Sequence, residues 1–236
     1  MECGKEMIVS KKWNLKNSFD RSMGAKYPPS YPNEMLVKLC SSKKYSDLTK
    51  NIFIKKKINV CEIGCFSGNN LRFFLDKKWN THGVEINQKL FKLTKNNLKR
   101  FNKTINNLKI GNNTNIPYKN NYFDVLVSIN TIHYSSGGDI EKTIKEYSRI
   151  LKKNGIALIE TPSEKHDIVK KSKKKKNNLW IWKWGGFRNN QLMGFFDNKI
   201  FLKNKLKKYF SQVEILERSE EYNKIKLHWY FAVCKK

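Results

Sequence analysis

Arginine is scarce in this chain of 236 residues: 42 of its 48 basic residues are lysine. That leaves few guanidinium forks for the bidentate phosphate and guanine contacts on which sequence-reading nucleic-acid proteins depend. Cysteine is thin as well. Cys3, Cys40, Cys61, Cys65 and Cys234 are odd in number and scattered, and Cys61 and Cys65 are separated by three residues rather than two. Neither a disulfide framework nor a zinc site is expected, and no metal is called for. No apolar run approaches the roughly 18 residues of a membrane span. Met1 to Trp13 lacks the basic-then-apolar order of a signal peptide, so a cytoplasmic location is the expectation. No internal repeat is visible.

Lysine and asparagine are abundant. The net charge is +28, and a basic surface is the electrostatic footprint of nucleic-acid binding. Yet the chain also holds 28 asparagines and many isoleucines, the drift expected of an AT-rich coding sequence. Diffuse compositional charge is therefore the simpler reading and RNA the alternative partner; an acidic lipid or glycan surface would fit the same charge. A hydrophobic content of 39% and this length suit one α/β domain with a modest elaboration.

The chain is organised around residues 58–70. A β-branched apolar run (Ile58, Val60, Ile63) ends in two glycines four residues apart, Gly64 and Gly68, and a helical pattern (Leu71, Phe74, Leu75) starts at once. Strand, tight turn and helix place backbone N–H groups at the carboxyl edge of a parallel sheet, the usual ligand crevice of open α/β folds. Phe66 fills the middle position where a dinucleotide fingerprint needs glycine, which argues against close phosphate approach. Twenty-one residues after Gly64, Glu85 ends a second short strand, where a carboxylate can accept both hydroxyls of a ribose.

Glu62-x-Gly64-x-x-x-Gly68 followed by Gly83-Val84-Glu85 resembles the first two motifs of the class I S-adenosylmethionine-dependent methyltransferases, of the small-molecule, type 11 kind. Residues 110–118 and 122–134 look like that family's third and fourth motifs, 150–161 like its next strand, and 229–235 like its last. The resemblance implies a Rossmann-like seven-stranded, mostly parallel sheet with helices on both faces and an antiparallel last strand. It also implies S-adenosylmethionine as cofactor, with S-adenosylhomocysteine as product. By resemblance, Glu62, Gly64, Cys65, Ser67 and Gly68 would wrap the methionine portion and Glu85 the ribose. Asn112, Asn113 and Thr114 would meet the adenine edge, and Ile86 and Asn130 would complete the cofactor set. Asn112 stands where the family usually has aspartate; its amide oxygen could accept from the adenine amine.

Around this core, residues 1–50 read as an amino-terminal arm and cap helix, and 51–236 as the cofactor-binding domain. A lid-like insertion is expected at about 162–196. Tyr31-Pro32-Asn33-Glu34 opens the cap helix. Residues 87–101 should be a crossover helix, and Asp139 and Asp197 should each cap another. Strands are expected at Leu108–Gly111, Phe123–Ser128, Ile156–Thr161, Val213–Leu216 and Leu227–Cys234. In the insertion, alternate tryptophans through Trp180, Trp182 and Trp184 would put three rings on one side of an extended segment. That segment is either a stacking shelf hinged at Gly185-Gly186 or a satellite hydrophobic cluster.

Methyl transfer is an in-line displacement that needs positioning more than acid–base help. His133, after the fourth strand, and His166, at the mouth of the insertion, are the candidate general bases. Tyr31, Tyr134, Trp182, Trp184 and Arg188 are the candidate acceptor contacts. The expected activity is methyl transfer to an oxygen, or a nitrogen, of a small molecule or carbohydrate. An RNA methyltransferase and a non-catalytic cofactor-binding partner protein are the alternatives.

Overall fold

The structure is a computed structural model describing residues 30–52, 57–175, 178–183 and 190–236. Five parallel strands come first: β1 (Asn59–Ile63), β2 (Asn80–Glu85), β3 (Asn107–Ile110), β4 (Phe123–Ile129) and β5 (Leu151–Pro162). Three two-residue strands follow, β6 (Lys173–Lys174), β7 (Trp180–Ile181) and β8 (Leu192–Met193), and then a long hairpin, β9 (Gln212–Tyr222) and β10 (Ile225–Lys235). The main sheet runs β3-β2-β1-β4-β5-β10-β9. Pairs from β3 to β5 are parallel, whereas β10 is antiparallel to both of its neighbours. This is the expected seven-stranded α/β sheet, with its one reversed strand lying between β5 and β9.

The helices are α1 (Glu34–Leu39), α2 (Asn69–Asp76), α3 (Gln88–Lys99), α4 (Asp139–Ile150), α5 (Asp167–Lys170) and α6 (Lys199–Lys207). On one face of the sheet, Leu36 and Leu39 of α1 and Phe74 of α2 bury Val60, Val127, Leu158 and Phe231. On the other, Ile144 and Tyr147 of α4 and Leu206 of α6 bury Cys61, Leu126, Ile159 and Tyr230. Successive residues of one strand feed opposite layers, so β4 and the middle of β5 are apolar almost without a break, as a sheet covered on both sides requires.

Several boundaries differ from expectation for local reasons. The last helix is capped by Asn198, whose side chain accepts from Phe201 N, while Asp197 turns to Lys174 at 2.8 Å. Asp139 lies inside the first turn of α4 and pairs with Lys142; Gly138 occupies the cap. The final strands each run several residues longer than their apolar cores. Asn223 and Lys224, with φ of 46° and 67°, form a two-residue turn with both central φ values positive, and the ladder continues through charged residues up to it. Between β5 and α6 lie α5 and a three-stranded antiparallel sheet of β6, β7 and β8. Trp184, Gly185, Gly186 and Arg188 lie outside the described residues, as does the arm before residue 30.

Candidate active site

At Gly64 the chain turns with φ +70°, and its N–H donates to Val84 O at 2.9 Å, tying the end of β1 to β2. A Cβ there would lie 2.5 Å from Thr131 Oγ1, so glycine is required both by the backbone angle and by the loop after β4. Phe66 adopts the left-handed conformation itself (φ 46°), an uncommon state for a bulky residue. Its carbonyl is held by Thr94 Oγ1 of α3 at 2.6 Å, and its N–H points at the Glu85 carboxylate. The aromatic residue thus takes the backbone shape that glycine would supply, and its half-buried ring becomes wall.

Beyond this bend lies a cavity of about 790 Å³ at the carboxyl ends of β1, β2 and β4. Glu62 and Glu85 are 2% and 3% exposed and both line it. Asn70 Nδ2 donates to Glu62 Oε1 at 2.6 Å, whereas Glu62 Oε2 is buried without a hydrogen-bond partner. Burial pushes the Glu62 carboxyl up to about 8, helped by the nearby Glu85 charge and opposed by Asn70. Glu85 is also raised by burial, against the N–H groups of Phe66 and Ile86. Two buried carboxyl groups with unspent accepting capacity suit a ligand that brings hydroxyls and positive charge. The candidate cofactor residues therefore fit S-adenosylmethionine, a sulfonium nucleoside with a ribose diol and an ammonium.

The other candidates divide. Gly64, Cys65, Ile86, Asn112, Asn113, Thr114, Asn130, Tyr31 and Tyr134 all line the same cavity. The Asn112 amide oxygen, however, accepts from Thr114 N and Oγ1, both at 2.9 Å, so the group it can offer a base is its NH2. Asn113 is tied to Thr131 O and Ser135 Oγ and braces the loop after β4. Ser67 and Gly68 sit beneath the bend and do not line the cavity: Gly68 starts α2, and Ser67 O accepts from Asn97 Nδ2 at 2.6 Å.

Both histidine candidates are placed away from the cavity wall. His133 is buried with its ring against Tyr134 and Phe195, and its carbonyl accepts from Gly194 N. His166 is 3% exposed rather than solvated: its Nδ1 accepts from Ile168 N to cap α5, and its ring meets Trp229 edge-on. Trp182 is buried with Val169, Met193 and Phe195 in a satellite cluster, the second of the two readings of the tryptophan segment. Trp184 and Arg188 fall outside the described residues.

Sequence reasoning missed several groups. Gln191 and Leu192 of the insertion, Asp139 and Thr131 line the cavity, as do Asn33 and Asn70. Glu160, wholly buried behind the wall, accepts from Asn33 and Asn130. A signal for Glu160 was present: it is the one charge in an otherwise apolar stretch of strand.

Residues 40–209 match a protein family described as a methyltransferase domain. No curated protein matches the sequence. Among solved structures, a protein from Pyrococcus horikoshii OT3 superposes with a TM-score of 0.61 at 15% identity, covering 86% of this chain and 100% of its own. An S-adenosylmethionine-dependent methyltransferase from Methanosarcina mazei gives 0.60 at 16% identity, covering 77% of this chain and 93% of its own. Another such methyltransferase, from Thermotoga maritima, gives 0.57 at 19%, covering 95% and 99%. At these identities the structural likeness speaks for the fold alone.

Proposed function

The chain belongs to the methyltransferase-domain family of class I S-adenosylmethionine-dependent enzymes, and on that premise we propose that it methylates an oxygen or a nitrogen of a small-molecule or carbohydrate acceptor. The supporting observation is the chemistry of the cavity wall. In a chain of net charge +28, Lys89 is the one basic side chain among the described lining residues, beside the carboxylates Glu62, Glu85 and Asp139. A polyphosphate backbone would find almost no countercharge inside. The volume, about 790 Å³, lies within the ~300–1,000 Å³ usual for small-molecule sites.

Bound, the donor supplies a methyl group already activated by its sulfonium. The protein's work is then to fix the line of attack. Glu85 would hold the sugar, Glu62 would face the positive charge, and Gly64 would let the donor come close to the bend. Tyr31, Tyr134, Gln191 and Leu192, which line the same cavity, would shape the space for the acceptor. No helix among the described residues is long and apolar enough to cross a membrane.

Methyl-labelled donor incubated with the protein and fractionated cell extract tests this. Label in a low-mass or glycan fraction is the expected result. Label confined to RNA, with binding that weakens steeply as salt rises, would establish instead the alternative RNA reading.

A further inference from the structure

Glu160 lies on β5, wholly buried and off the cavity wall, yet three elements converge on its carboxylate. Asn33 Nδ2 donates to its two oxygens at 3.2 and 3.0 Å, Asn130 Nδ2 donates to Oε2 at 3.0 Å, and Arg218 NH2 stands 3.4 Å from Oε1. Arg218 is itself fixed, stacked 4.1 Å over Trp229 and bonded to Glu220 at 2.8 Å.

A carboxylate only accepts, so each asparagine must turn its NH2 toward Glu160 and its oxygen the other way. For Asn33 that oxygen caps α1 by accepting from Leu36 N at 3.0 Å. For Asn130, held at φ 50°, the oxygen is buried and has no hydrogen-bond partner. Asn33 N in turn donates to Asn70 Oδ1 at 2.8 Å, and Asn70 donates to Glu62. One chain of hydrogen bonds thus runs from β5 through the start of α1 to the acid at the end of β1. It terminates in two unused acceptors, Glu62 Oε2 and Asn130 Oδ1.

We propose that Glu160 is a positioning residue: by locking the amide orientations of Asn33 and Asn130 it couples the seating of α1 to the capture of the donor's amino-acid tail. Its ligand is never touched directly; the two unused oxygens receive the tail's N–H groups, and Asn33 draws residues 31–33 against α2, where Asn69 Nδ2 already holds Tyr31 O at 2.7 Å.

A glutamine at position 160 would have to aim its own NH2 at Asn33, Asn130 or Arg218, forcing a partner to turn. The full chain should therefore be compared with Glu160→Gln by calorimetry against two ligands that differ only in the tail, S-adenosylhomocysteine and 5′-methylthioadenosine. The variant should lose about tenfold or more in affinity for the first, the cost of a charge-assisted contact, and stay within about twofold for the second. Hydrogen exchange at residues 33–39 should slow on adding S-adenosylhomocysteine to the unaltered protein and respond little in the variant. If Glu160→Gln does not fold, Asn130→Ala carries the same two-ligand comparison. Equal losses for both ligands, or unchanged affinity for S-adenosylhomocysteine, would overturn the proposal. So would exchange at 33–39 that ignores the ligand in the unaltered protein.

Discussion

Two shielded glutamates on opposite sides of the sheet show how the same side chain serves different ends. Glu146, on α4, is gripped by Arg149 at 2.6 and 2.8 Å and accepts from Ile116 N, while Arg149 also donates to the carbonyls of Ile116 and Tyr118 and to Asn120. Burial would raise its carboxyl, but Arg149 and the Ile116 N–H hold it below the ordinary range. Glu62 has one amide and no cation, and its carboxyl is raised to about 8. Where the charge is answered from within, the glutamate staples α4 to the loop before β4. Where it is left unanswered, the molecule keeps the site open for something that arrives later.

Breaking the staple should produce the largest effect. Arg149→Met leaves Glu146 without its cation and should cost about 2–4 kcal/mol of stability, moderated by partial exposure, read as a fall in Tm on the order of 5–10 °C. S-adenosylhomocysteine affinity of the folded fraction should hardly move. Glu62→Gln should do the reverse. It removes a buried acid, so thermal stability should hold or rise, while donor affinity falls about tenfold, or ~1.4 kcal/mol. If Glu62→Gln instead unfolded the protein, the contrast between the two glutamates would collapse.

A finer version uses pH. Near pH 7 the free protein carries Glu62 largely protonated, and a cationic donor binds the ionised form better. Binding should therefore release a proton, and affinity should climb as pH rises toward 8. Calorimetry in buffers of different ionisation enthalpy reads both, and the proton release should vanish in Glu62→Gln.

The smallest effect concerns His82, whose two ring nitrogens are buried without hydrogen-bond partners, yet which does not line the cofactor cavity. Tyr118, Tyr122 and Phe123 enclose its ring edge-on. Burial, with Lys109 nearby, depresses its pKa to about 4. Above pH 6.5 it is neutral folded or unfolded and contributes no pH dependence; below that the unfolded chain takes a proton the folded one refuses. Stability should thus fall from about pH 6.5 toward pH 4. His82→Phe should flatten part of that slope, the rest belonging to groups such as His166, also lowered to about 4. A buried unpaired group marks a ligand site only when a cavity stands before it.

Much of the fold was legible because its signals are local. Glycine spacing fixed the bend after β1, and counting from it reached Glu85, whose carboxylate does face the bend at Phe66. The run from Phe123 to Ser128 could only be an inner strand. The site was less legible where side chains meet across long separations. Asn33 reads only as part of the segment that opens α1, and its bond to a residue 127 positions away leaves no trace nearby. The tryptophan segment left two readings open because alternation shows that rings share a side but not what covers that side; Trp180 and Trp182 both pack in the cluster with Phe195. His166 reads as a candidate base because nothing in its sequence neighbourhood announces Trp229.

The reversed strand β10 has a consequence for how the molecule comes into being. Trp229 to Lys235 pair with β5 on one side and with β9 on the other. Until β10 has been made, β5 waits with an open margin and β9 has no strand to pair with. The cofactor crevice, by contrast, draws most of its wall from residues made well before. A chain made only as far as β9 would therefore present a half-built pocket on an unfinished sheet, and completion hinges on β10 sliding into a gap already waiting in the middle.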